Sequence, residues 1–144
     1  MKKNKKSNKK LGIIGIGVVG KAWALAINRK AFKGVIPSPI LYDKYRGIGS
    51  VEEINKADII FICVPTPYKK SIGFDPSAIE NAFSIIKGRK IIIIKSTVIP
   101  GTAERMQKKY PNHLVLFNPE FLREETADKD AVNPFEQIVG YTKR

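Results

Sequence analysis

The chain has 144 residues, 43% hydrophobic and 27% charged, with a formal net charge of +13. That is the length of one domain with a single sizeable core and the composition of a soluble globular protein. Its only cysteine, Cys63, rules out a disulfide framework, and no segment approaches the ~18 apolar residues of a membrane span, so a cytoplasmic location is expected.

The chain opens with Lys2, Lys3, Lys5, Lys6, Lys9 and Lys10, six of the excess charges in one block. Residues 1–10 read as a basic, disordered, solvated tail. Steering towards nucleic acid or an acidic surface is the alternative, but the block has no interleaved aromatics and no helical pattern, so nucleic acid is not the expected partner. A Lys-rich start before an apolar run imitates a secretory signal. Four glycines by Gly20, and then Lys21, break that run and fit strand, turn and helix instead.

From there, strand-like and helix-like segments alternate. Lys10 to Ile16 reads as a buried strand and Val18 to Ala31 as a helix. Ile40 to Tyr42 is a second strand ending at Asp43. Ser50 and Glu53 have capping-box spacing and start a short helix. Ile59 to Val64 is a continuous β-branched run suited to the middle of a parallel sheet. Asp75 as N-cap and Pro76 at the first position open a helix to about Ile86. Ile91 to Ile94 is a fourth strand, Pro100 and Gly101 open a helix to about Tyr110, Leu114 to Phe117 is a fifth strand and Gln137 to Gly140 a short sixth. This β-α-β alternation predicts an α/β fold, a doubly wound parallel (Rossmann) sheet of about six strands over residues 11–144.

The segment Gly15-Ile16-Gly17-Val18-Val19-Gly20 has the spacing of a dinucleotide-binding turn. Gly15 allows a tight exit from the strand, Gly17 lets backbone approach a pyrophosphate, and Gly20 lets the helix pack against the sheet. The pyrophosphate would rest on the helix N-terminus. Asp43 lies 23 positions after Gly20 at the second strand's end, where a carboxylate accepts the adenosine ribose hydroxyls and favours NAD over a 2′-phosphorylated cofactor. Lys44 and Arg46 weaken that preference. Three more loops follow strands: Val64-Pro65-Thr66-Pro67, then Lys95-Ser96-Thr97-Val98-Ile99-Pro100-Gly101-Thr102, then Asn118-Pro119-Glu120-Phe121-Leu122-Arg123-Glu124. Together they place Thr66, Thr97 and Glu120 on one rim beside the expected cofactor.

In these four ordered segments the chain resembles the N-terminal NAD-binding domain of the UDP-glucose/GDP-mannose dehydrogenase family. Ile138-Val139-Gly140 resembles that family's last Rossmann strand. The resemblance implies NAD-dependent oxidation of a sugar nucleotide's C6 alcohol to a carboxylate in two steps. It implies cofactor contacts from Val64, Pro65, Thr66, Ser96, Thr97 and Glu124, besides the glycine turn and Asp43. Thr97 would order water or substrate near the nicotinamide. Glu120 would be the general base in hydrolysis of a thioester, and Glu120, Phe121, Leu122 and Arg123 would form the wall for a UDP- or GDP-sugar. The family's nucleophilic cysteine belongs to a second, C-terminal domain, so with the chain ending at Arg144 a second polypeptide carrying it is expected. Cys63 does not replace it: it sits in an apolar strand run with no basic neighbour to lower its pKa, a structural thiol. His113 joins no triad, and no metal-ligand spacing occurs. Glu125 stands where the family usually has glycine. A non-catalytic NAD-binding module is the alternative.

Overall fold

Four apolar runs lie side by side and set the architecture. In the computed structural model, which describes residues 8–29 and 36–142, β1 (Leu11–Ile14), β3 (Ile59–Ile62), β6 (Ile91–Ile94) and β7 (Leu114–Phe117) form consecutive parallel ladders. The remaining elements are α1 (Val18–Asn28), β2 (Ile40–Tyr42), α2 (Val51–Ile54), the short strands β4 (Tyr68–Lys69) and β5 (Gly73–Phe74), α3 (Ser77–Ile85), α4 (Thr102–Lys109), α5 (Ala127–Val132) and β8 (Gly140–Tyr141). The main sheet runs β2-β1-β3-β6-β7-β8. Its order reverses between β1 and β3, and a doubly wound sheet binds ligands at the carboxyl ends of the strands flanking such a reversal. The expected α/β class and six-stranded sheet are therefore both present.

Strand pleating sorts the side chains into two layers. Ile60, Ile62, Ile92 and Ile94 point to one face, where they are buried with Ile54 of α2, Phe83 of α3 and Met106 of α4. Leu11 and Ile13 point to the other, against Ala24 and Ile27 of α1, with Phe61 and Trp23 packed beside them. A one-residue slip of any strand would exchange the two sets, so the register is strongly specified. On the outer side of α1, Ala22 and Ala26 meet Ala127 and Ala131 of α5, small residues that let the two helices approach closely.

Several expected boundaries move. Residues 1–7 of the expected tail lie outside the described residues, as does the expected end of α1 at Ala31. Lys10 already belongs to the fold, its N–H donating to Asp58 Oδ2 at 2.9 Å. Ser50 Oγ accepts from Glu53 N–H, as the capping-box spacing predicts. The helix expected from Pro76 begins at Ser77, one residue later, while Asp75 Oδ1 accepts the Ser77 N–H as the expected cap would. The β4–β5 hairpin was not foreseen: each strand has two residues, too short for a periodic signal, and a Tyr68–Phe74 edge-to-face ring pair supports it.

The sixth strand is displaced and reversed. It was expected parallel at Gln137 to Gly140, but β8 occupies Gly140–Tyr141 and runs antiparallel to β7. The Asn118 side-chain amide donates to Ile138 O at 2.7 Å and Gln137 Oε1 at 3.2 Å, so residues 137 and 138 are held by a side chain and ladder pairing begins only at Gly140.

Phe83 is fully buried and stacks on Tyr110, with ring centroids 5.2 Å apart. Phe83→Ala should lower stability by about 3–5 kcal/mol, measured as a drop in the urea midpoint. Asp75 supplies a pH-dependent contribution: Lys69 Nζ first, then the Ser77 groups, hold its carboxyl down to about 2, against an ordinary 3.8. A depressed folded-state value stabilises above the unfolded pKa and is lost as pH falls through the folded one. The gap in urea midpoint between the wild-type chain and Asp75→Asn should therefore be present at about pH 6, shrink below about pH 4 and vanish near about pH 2.

Candidate functional site

The glycine turn leaves β1 at Gly15, whose φ of +90° suits only glycine, and a Cβ there would meet Cys63 O at 2.6 Å. Gly20 is under still tighter constraint, since a Cβ would lie 1.9 Å from Gly15 O. Gly17 differs. It is the N-cap of α1 with extended backbone, and a Cβ there would touch nothing within 4 Å. The space above Gly17 is therefore open. No side chain caps α1 and no acidic residue occupies its first turn, so the first N–H groups and the positive end of the dipole face that space. The cradle fits a pyrophosphate, with Val18 exposed and Val19 half-buried along it.

Asp43 holds this turn in place. Its Oδ2 accepts from Ile16 N–H at 2.8 Å, and its Oδ1 accepts from Tyr45 and Arg46 N–H at 3.0 Å each. Burial tends to raise its pKa, but these backbone donors and the nearby Arg46 guanidinium outweigh it and leave the carboxyl below its ordinary value. The ribose role expected of Asp43 thus falls to a carboxylate that already fixes the loop. It retains acceptor capacity, since a carboxylate has about four lone-pair sites and three N–H bonds occupy three. Asp43, with Tyr42, Tyr45, Val64 and Pro65, also borders a cavity of about 230 Å³ reaching to Ala78 and Ile85 of α3.

The rim loops converge as expected. A cleft of about 610 Å³ is bordered by Gly15, Gly17, Val18, Val19, Asp43, Val64, Pro65, Thr66, Ser96, Thr97, Glu120 and Leu122. Thr66 Oγ1 donates to Thr97 O at 2.5 Å, and Ser96 Oγ donates to Val64 O at 2.7 Å, so the loops after β3 and β6 are stitched together. Ser96 is buried by that task, whereas Thr97 is exposed.

The remaining expected site residues are placed otherwise. Ile16 packs against the α1 face of the sheet and Gly20 lies beneath the turn. Phe121 is exposed outside the cleft lining. Arg123 turns back on Asp130, with Nη2 3.1 Å from Oδ1. Glu124 borders a neighbouring opening with Val18, Lys21 and Glu125.

The deepest group in the cleft was not singled out from the sequence. The Lys95 side chain has 0% exposure, its Nζ 2.9 Å from Glu120 Oε2 and 2.6 Å from Asn118 Oδ1, and it lies 4.3 Å from the centre of the Trp23 ring. Trp23 Nε1–H donates to the same Glu120 Oε2 at 2.5 Å. A signal existed: Lys95 follows β6 by one residue, Glu120 follows β7 by three, and neighbouring parallel strands bring opposite charges at such positions together. Trp23, on α1, had no such signal. Lys95 also corrects the reading of Cys63, which has a basic neighbour after all. Burial still dominates and pushes the thiol up to about 12, against the pull of Lys95, so Cys63 remains an inert thiol.

A family model described as the NAD-binding domain of the UDP-glucose/GDP-mannose dehydrogenase family matches residues 40–144. The chain belongs to that family. A UDP-glucose 6-dehydrogenase of Campylobacter jejuni is 32% identical, over 91% of this chain and 41% of that protein. Among solved structures, a UDP-glucose dehydrogenase from Pyrobaculum islandicum shares the fold with a TM-score of 0.76 at 24% identity, over 99% of this chain and 42% of that one. A GDP-mannose dehydrogenase from Pseudomonas aeruginosa does so with a TM-score of 0.69 at 24% identity, over 92% and 41%. The chain thus spans about two fifths of the length of these relatives. It is the family's NAD-binding domain, and its cofactor is NAD. The glycine turn precedes the matched residues.

The two glycines separate binding from folding. Gly17→Ala should leave the thermal midpoint unchanged while weakening NAD binding by about tenfold or more (~1.4 kcal/mol), measured by calorimetry. Gly20→Ala forces a Cβ into a backbone carbonyl and should lower the thermal midpoint itself, by about 1–3 kcal/mol of stability.

Proposed function

We propose that this chain is the cofactor-holding part of a nucleotide-sugar 6-dehydrogenase, acting on UDP-glucose or GDP-mannose in the cytoplasm. The observation that carries the reading is the single cleft that brings the glycine turn, Thr66, Thr97 and Glu120 together at the reversal of strand order. No helix among the described residues is long and apolar enough to cross a membrane. NAD, when bound, accepts the hydride from the sugar carbon. The chain's own residues do the rest of the work on this side of the cleft. The turn and α1 hold the pyrophosphate, and Asp43 takes the ribose. Thr97 orders water or substrate, and Glu120 takes the proton from the hydrolytic water. The nucleophilic cysteine comes from outside these residues, on a second polypeptide or a further stretch of chain.

Mixing the chain with the cysteine-bearing part of a relative, NAD and either sugar nucleotide should produce NADH, followed by absorbance. Steady NADH from this chain alone would overturn the outside-nucleophile reading. In the active mixture, Glu120→Gln should lower turnover by about 10²–10⁴-fold. One observation favours a second reading, a non-catalytic NAD-binding module: the Arg123 guanidinium, expected on the substrate wall, is committed to Asp130 by two hydrogen bonds. That reading expects NAD binding without NADH formation in any such mixture.

A further inference from the structure

Among the described residues Lys95 is the one buried lysine or arginine. One N–H reaches Asn118 Oδ1, a second reaches Glu120 Oε2, and the charge lies over the Trp23 ring. Because Lys95 takes the Asn118 oxygen, the Asn118 amide nitrogen is left to donate to Ile138 O and Gln137 Oε1, so the cluster is also fastened to the segment leading into β8. The consequence for Glu120 is an asymmetry. Its Oε2 receives both the Lys95 ammonium and the Trp23 indole N–H, whereas Oε1 has only a 3.2 Å contact from the backbone N–H of Phe121. The side chain is 9% exposed and borders the cleft.

We propose that Lys95 is a positioning residue for Glu120: with Trp23 it fixes Oε2, offsets the carboxylate's charge inside the protein, and leaves Oε1 as the oxygen that takes the proton from water. The inference rests on the reading of Glu120 as the base. The pair is costly to bury, since desolvating two charges is repaid only by good geometry and further hydrogen bonds. Both conditions are met here, and the group so restrained sits at the cleft rather than in the core.

The chain carries its own reporter, because Trp23 is its only tryptophan and gives one indole N–H resonance. In the chain alone, that resonance should stand downfield and resist solvent exchange. Lys95→Met keeps the length and apolar stem and removes the charge. It should shift the resonance upfield and speed its exchange about tenfold or more, as Glu120→Gln should. NAD affinity should not change. In the reconstituted mixture Lys95→Met should lower kcat by about 10²-fold with KM for NAD unchanged, and Lys95→Arg should restore part of the rate. Trp23→Phe keeps a ring under the ammonium and removes the N–H, which covers the case in which Lys95→Met does not fold; it should lower kcat by about tenfold. An indole resonance and kcat unmoved by Lys95→Met, or a kcat unmoved by Trp23→Phe, would overturn the proposal. A wild-type mixture that is inactive while the indole signature responds as described would instead sink the reading of Glu120 as the base.

Discussion

A lysine ammonium with no exposed surface lies between the carboxyl ends of β6 and β7, and the binding end of the sheet is arranged around it. A buried cation needs acceptors on every side. One comes from the loop after β7 as Glu120 and another as Asn118, while the Trp23 ring of α1 covers a third direction. Satisfying one charge therefore ties β6, β7, α1 and, through Asn118, the approach to β8 into a single polar cluster. Two oppositely charged residues buried together contribute little net stability compared with an apolar filling. Their value lies in where they hold Glu120.

The cofactor side follows a similar logic with the charges exchanged. There the buried-side anion is Asp43, which accepts from the backbone N–H groups of Ile16, Tyr45 and Arg46 and keeps some acceptor capacity. The carboxylate pins the glycine turn to the end of β2. This leaves the α1 N-terminus without a side-chain cap or an acidic first-turn residue, so the dipole end stays available to an anion. Had Asp43 capped α1 directly, the same charge would have competed with the ligand. The carboxylate instead stabilises the cradle from the side.

The sheet was legible because its evidence is local. Runs such as Ile59 to Ile62 and Ile91 to Ile94 can bury both faces only in a parallel sheet, and the glycine turn needs just six residues to declare itself. What escaped was non-local. The direction of β8 depends on an amide of Asn118, about twenty residues away, and the hairpin at residues 68–74 depends on one ring pair. Lys95 stood in the sequence only as the first residue of the loop after β6, with nothing beside it in the chain to mark it for burial. Its burial follows only once α1 brings Trp23 over it, a contact between residues 72 positions apart. Arg123, expected at the substrate wall, had an acidic partner seven residues on that helical spacing alone does not reveal.

The two tiers of the molecule are mechanically distinct, and this bears on what rim variants report. The isoleucine ladder, with Phe83 and Met106 beneath it, counts no polar rim residue among its buried members, although Val64 of the rim packs against it. The rim residues Thr66, Ser96, Asp43 and Glu120 are joined mainly by hydrogen bonds among loops and by the Lys95 pair. Substitutions far apart with no shared partners act additively on stability, whereas members of one network do not. Changing an exposed rim group such as Thr97 therefore alters the cleft while the ladder keeps the fold. Lys95 is the exception, since it belongs to the rim by function and to the interior by burial. It is the point at which the interior packing of the fold and the placement of Glu120 are the same interaction.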